Sequence, residues 1–165
     1  MNVSHRCEKS VAPRFNQGYT RVVKVNHHLV FSYGSNLYEP QLRERCPGAR
    51  VLGAAELRGF SIAFVGESER WGGGVATVVR STRDVVRGEV VALSDDDMQR
   101  LDRYEGVPDV YWREKRNVAM GMIRVRAWVY VRDGKPNAPG VEYLTRIALG
   151  YERLGFPIRE LNCAC

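Results

Sequence analysis

Residues 50–93 read RVLGAAELRGFSIAFVGESERWGGGVATVVRSTRDVVRGEVVAL, and the reading of this stretch decides the fold class. It contains β-prone runs at 50–57, 60–65, 75–80 and 87–93, rich in Val, Ile, Phe and Leu. Gly-rich or polar breaks separate them, notably Trp71-Gly72-Gly73-Gly74 and Thr82-Arg83-Asp84, so the expectation is a series of short strands adjacent in sequence. Upstream, 28–33 (HLVFSY) is a further short apolar run that stops at Gly34-Ser35-Asn36, and 38–46 suits a short helix with Pro40 in its first turn. Downstream, Ser94 followed by Asp95, Asp96 and Asp97 signals a helix start, with Met98, Leu101 and Tyr104 at helical spacing and Gly106 as its stop. Runs at 110–119 and 123–131 alternate as strands, a Gly/Pro/Asn loop covers 133–140, and 141–154 reads as a last helix with Tyr143, Ile147, Leu149 and Leu154 as its apolar stripe. About six or seven strands with three helices, the strands mostly consecutive, indicate an α+β fold rather than alternating α/β.

The 165 residues suffice for one domain. Residues 1–26 carry no apolar periodicity and read as an N-terminal extension, 27–158 as the folded domain, and 159–165 as a C-terminal tail. At 44% apolar and 27% charged residues, with no apolar run near the ~20 residues of a membrane span, the chain reads as a soluble protein without a membrane partner. Its first residues lack an apolar signal core, which with four scattered cysteines (Cys7, Cys46, Cys163, Cys165) leads to the expectation of a cytoplasmic protein with reduced thiols. Cys163-Ala164-Cys165 is similar to a doubly prenylated terminus but is read as an exposed tail, and Cys46 as a small buried hydrophobe. The net charge of +6 favours anions, yet the basic residues are dispersed and accompany no nucleic-acid-binding motif, so no nucleic-acid partner is expected.

Three segments are able to carry chemistry. Gly34-Ser35-Asn36, where a strand breaks ahead of a helix, would present successive backbone N–H groups to a carboxylate or phosphate, with Gly34 free to adopt angles closed to other residues; an ordinary strand-to-helix turn has the same pattern. Glu105 falls in the last turn of its helix, where the helix dipole disfavours its charge, and burial beside Tyr104 or other aromatics would raise its pKa towards that of a general base; a solvated surface carboxylate fits the spacing too. Gly72-Gly73-Gly74 would allow a substrate close to the backbone, or simply turn a hairpin. No G-x-S-x-G elbow occurs, and His5, His27 and His28 are all read as lying before the folded part, so a nucleophile–histidine pair and a metal site are both disfavoured. Proton transfer would fall to a lone carboxylate.

Taken together, Tyr33-Gly34-Ser35-Asn36, Gly73-Gly74-Val75-Ala76-Thr77, Leu101-Asp102-x-x-Glu105-Gly106-Val107, then Tyr111, Tyr143, Ile147, Gly150, Gly155 and Pro157 resemble the γ-glutamylcyclotransferases. The likeness runs from about Leu29 to Pro157. Asn36 stands where the glutathione-specific branch typically has Leu, which points to the general γ-glutamyl amino acid branch. The resemblance implies a small mixed β-barrel with helices around it and a cavity at one side. Phe31, Ser32, Tyr33, Gly34, Ser35 and Asn36 would hold the glutamyl end of a small-molecule γ-glutamyl substrate. Gly74, Tyr111 and Tyr143 would contribute to the same pocket. Glu105 would be the catalytic acid/base in a cyclisation that releases 5-oxoproline, with no cofactor and no metal, and a homodimer is left open. The same chemistry on a biosynthetic or crosslink γ-glutamyl amine, or a non-catalytic ligand-binding module of this fold, are the alternatives.

Overall fold

A computed structural model describes residues 27–162. The expectations for residues 1–26 and for the Cys163–Cys165 terminus lie outside the described residues. Strands β1 (His28–Ser32), β2 (Arg50–Ser68), β3 (Gly73–Leu93), β4 (Trp112–Met120) and β5 (Ile123–Val131) close a barrel in the order β1-β3-β2-β4-β5. All neighbours are antiparallel except β1 and β5, which run parallel at the closure, with Val30 opposite Trp128. Helices α1 (Glu39–Arg45), α2 (Asp95–Glu105), α3 (Val141–Leu154) and the short α4 (Arg159–Asn162) accompany it, and a 3-10 turn (Ser35–Leu37) links β1 to α1.

The strand-like runs of 50–93 merge into two long strands, and this corrects the expected count. β2 and β3 pair from Arg50↔Ala92 to Ser68↔Gly73 around the expected Gly72 turn. The signals at Gly59 and at Thr82–Asp84 mark a shift of register between Arg58 and Phe60 rather than strand ends. Gly59 takes φ 83°, which only glycine adopts freely, and the Ser81 hydroxyl donates to Asp84 (2.5 Å), so the ribbon bends without breaking. This is how five strands close a barrel: two of them are long enough to serve more than one side of it.

The helices follow their local signals. Ser94 Oγ accepts from the Asp97 N–H, and Gly106 (φ 65°) ends α2 with Gly106 and Val107 N–H groups returning to Arg103 and Asp102 carbonyls. On α3, Tyr143 and Ile147 are buried as expected, but Leu149 is 43% exposed, because six residues on from Tyr143 lies two thirds of a turn around the helix; Gly150 and Tyr151 take its place. The tail expected from Arg159 begins instead as α4, with Leu161 buried in the core and Glu160 paired with Arg87. His28, expected ahead of the folded part, instead opens β1, with its Nε2 2.6 Å from Asp95 Oδ1. Cys46 is fully buried, and burial pushes its thiol up to about 12. Among the described residues no helix is long and apolar enough to cross a membrane.

Candidate active site

β1 delivers the chain to one side of the barrel, and the 3-10 turn carries it across the mouth of a cavity of about 260 Å³. Phe31, Ser32, Tyr33, Gly34, Ser35 and Asn36 all line this cavity, as do Glu105, Tyr111 and Tyr143. Nine of the ten residues singled out from sequence thus share one hollow. Gly74 does not: a Cβ there would run into the Asn137 carbonyl, so its lack of a side chain admits the 136–140 loop rather than a ligand. The neighbouring Val75 and Ala76 form that part of the wall.

Gly34 also serves by closeness. Its φ of −103° is not a left-handed conformation, contrary to expectation, but a Cβ would sit 3.2 Å from the Tyr143 hydroxyl and 3.4 Å from Ala76 Cβ. The bare backbone lets Tyr143 reach the wall, where its oxygen accepts from the Ala76 N–H (3.0 Å). Tyr33 and Tyr111 complete an aromatic floor by donating to backbone carbonyls, Tyr33 to Tyr130 (2.5 Å) and Tyr111 to Ala76 (2.9 Å). Burial raises the pKa of all three phenols, so they remain neutral donors and acceptors at any physiological pH. Trp71 packs on Tyr143 (centroids 5.2 Å apart) at the rim.

The α2 C-cap places Glu105 opposite the turn. Its Oε1 accepts from Asn36 Nδ2 (3.0 Å) and lies 3.3 Å from Arg45 Nη1, while Oε2 takes no hydrogen bond among the described residues. The side chain is only 15% exposed. Burial pushes the carboxyl above the ordinary carboxylate range, against the pull of the Arg45 charge and the Asn36 bond. Tyr104 lines the same cavity, half-exposed, and carries the Arg45 guanidinium over its ring at 5.1 Å.

Arg45 and Gln41 are the functional candidates that sequence reading missed. They stand four apart on α1 and are 5% and 1% exposed, an unusual depth for such side chains. Arg45 donates to Asn36 Oδ1 (2.9 Å) as well as to Glu105; Gln41 donates to Ser35 Oγ (2.8 Å) and Asn36 Oδ1 (3.2 Å) and accepts from Arg146 (2.7 Å). The network orients both polar side chains of the turn. The available signal was the i, i+4 spacing of two long polar residues directly after the turn, but Arg43 and Glu44 lie between them and nothing local says which face is buried. Arg70, Arg103 and Arg132 also line the cavity, so Glu105 stands alone among four arginines and the hollow favours an anionic ligand. Among the described residues no three His, Cys, Asp or Glu side chains gather to hold a metal ion.

A family model described as gamma-glutamyl cyclotransferase, AIG2-like, matches residues 30–150. Gamma-glutamylcyclotransferases of Mus musculus and Bos taurus are 39% and 37% identical over 83 residues, 48% of this chain and 44% of each relative. The match thus spans less than half the length of these curated relatives. A solved structure of a gamma-glutamyl cyclotransferase superposes with a TM-score of 0.78 at 27% identity, over 84% of this chain and 86% of that one.

Proposed function

The chain belongs to the AIG2-like gamma-glutamyl cyclotransferase family, and from this premise we propose that it cyclises a small γ-glutamyl amide to 5-oxoproline with Glu105 as the general acid/base. In such an amide the substrate's own α-amine can attack its γ-carbonyl carbon. The N–C bond closes a five-membered lactam, and the C–N bond to the leaving amine breaks. At neutral pH the α-amine is an ammonium and has no lone pair to offer. Glu105, ionised, takes one of its protons and delivers it to the departing nitrogen; the second proton, left on the ring nitrogen by the attack, is lost as the lactam forms and is taken up by the leaving amine, which departs as an ammonium, so the reaction balances without a co-reactant. Raised basicity from burial favours the uptake, and the pull of Arg45 and Asn36 keeps the carboxylate available to perform it. Because both contacts fall on Oε1, Oε2 is the oxygen assigned to the substrate's amine.

Cyclisation also needs the flexible glutamyl chain curled. Backbone groups at Gly34 and Ser35 are assigned to its α-carboxylate, and the aromatic floor of Tyr33, Tyr111 and Tyr143 to its methylenes, an orientation worth several kcal/mol in such reactions. The arginines of the cavity suit a substrate rich in carboxylates. The buried thiol of Cys46 is compatible with a reducing, cytoplasmic setting.

One observation carries the reading: Glu105 reaches across the cavity to Asn36 of the Tyr33–Asn36 turn. The test is a panel of γ-glutamyl amides, with γ-glutamyl amino acids, γ-glutamyl amines and glutathione, scored for 5-oxoproline by mass. Glu105→Gln is expected to keep the fold and to lower turnover by roughly 10²-fold or more, the scale of a positioned acid/base. A Gln variant with near-normal turnover would remove Glu105 from the reaction.

A further inference from the structure

α3 meets the 3-10 turn with four residues in a row: Tyr143, Arg146, Gly150 and Arg153. Their spacings of three, four and three form one stripe of a helix. Tyr143 bonds the wall beside the turn at Ala76, and Arg146 supports Gln41, which in turn donates to Ser35. At Gly150 a Cβ would collide with Leu37, so helix and turn are in backbone contact. In the last turn Arg153 Nη2 donates both to the Leu37 carbonyl (3.0 Å) and to Glu89 Oε2 (2.7 Å). Neither Arg153 nor Glu89 lines the cavity.

Glu89 is 0% exposed and lies on β3 directly opposite Ser32, the last residue of β1 before the turn. A carboxylate buried to that degree is costly unless paired, and apolar residues often serve stability as well as a buried ion pair does. Gln41, Arg45 and Glu105 hold the near side of the turn through Ser35 and Asn36, and its far end at Leu37 is met by Arg153. Three residues closed by Leu37 N–H to Gly34 and Tyr38 N–H to Ser35 cannot set their own position on a barrel.

We propose that Arg153, anchored by Glu89, is a positioning residue that pins the far end of the Ser35–Leu37 turn while Asn36 presents its near side to Glu105. Glu89 holds the guanidinium at a defined place on the barrel, and the guanidinium holds the Leu37 carbonyl. A shift of the turn by about an ångström would carry Asn36 off Glu105, a displacement that matters in sites depending on orientation. Its consequence for catalysis rests on the cyclotransferase reading; the mechanical claim does not.

Hydrogen–deuterium exchange on the full chain tests it, with Arg153→Met, Arg153→Lys and Glu89→Gln. In Arg153→Met the amides of Leu37 and Tyr38 are expected to exchange about tenfold faster or more, the scale set by loss of a charge-assisted hydrogen bond. The amides of α2 should keep their protection. Arg153→Lys, which retains a donor and the charge, should fall between wild type and Arg153→Met and covers the case in which the methionine variant folds poorly. The Glu89→Gln/Arg153→Met double variant should exchange no faster at the turn than Arg153→Met, because the two act as one unit. In the kinetic arm kcat/KM for a γ-glutamyl amide should fall about tenfold and the acid limb of the pH profile should move to higher pH, since a displaced Asn36 no longer holds the Glu105 pKa down. Unchanged exchange at Leu37 and Tyr38, or a rise spread evenly over the domain, overturns the proposal. If wild type releases no 5-oxoproline from any γ-glutamyl amide yet the turn loosens as described, the positioning role stands and the cyclotransferase reading falls.

Discussion

Replacing Arg45 by methionine removes the guanidinium 3.3 Å from Glu105 Oε1 while keeping most of the side-chain volume on α1. At 3.3 Å a unit charge pair is worth ~1.3 kcal/mol at the dielectric of water and ~5 kcal/mol at an effective value of 20. Either way the Arg45 charge favours the ionised carboxyl and lowers the Glu105 pKa against the effect of burial. The cavity opens to solvent, which places the effect towards the lower end. The sign follows directly. Glu105 works as a carboxylate, so kcat/KM rises with pH through its pKa, and a pKa raised by the loss of Arg45 moves that acid limb to higher pH. Arg45→Met should therefore lose more activity on the acid side of the profile than on the alkaline side, with the limb displaced to higher pH. Arg45→Lys, which retains the charge without the planar fork, should displace it less. The assay is kcat/KM for 5-oxoproline release, measured across pH for the three proteins. A limb that stays in place or moves to lower pH would refute the claim that Arg45 keeps the buried carboxylate ionised.

Tyr143→Phe leaves the Ala76 N–H without its acceptor at the cavity wall; urea titration should show a loss of ~1–3 kcal/mol, and an unchanged midpoint would count against it. Gly74→Ala forces a Cβ against the Asn137 carbonyl and should cost ~1–3 kcal/mol of stability while activity per folded molecule stays normal, because the residue does not line the cavity. Glu105 gives a linkage prediction. Its folded pKa lies above the unfolded value of about 4.3, so its stabilising contribution is complete below that pH and is lost as pH rises through the folded pKa. The melting temperature of wild type relative to Glu105→Gln should accordingly decline from pH 4 upward, and a difference that does not vary with pH would contradict the burial argument.

Much of the fold was legible wherever the signal is local. Ser94 with its three aspartates, Gly106 after Glu105, and Gly155 after Leu154 each act on backbone groups within a turn of themselves, and each does in the structure what its neighbours in sequence imply. The errors arose where a local signal has two outcomes. Gly59 and Thr82–Asp84 bend a ribbon as readily as they end one, and only the partner strand across the ladder decides between the two. Gly74 was read as a site of ligand approach, yet what approaches it is the Asn137 backbone.

The sequence by itself determined the α+β class, the caps that place Glu105 at a helix end, and the family motifs that assemble around the cavity, because these depend on backbone conformation and side-chain period over a few residues. Only the tertiary structure decided that β1 closes the barrel against β5, that Arg45 and Gln41 turn inward, and that Glu89 is buried with Arg153 as its partner. The reason is physical: whether a charged side chain stays in water or pays to leave it depends on which distant groups arrive to meet it, and residues 45 and 105, or 89 and 153, become neighbours only once the chain has folded.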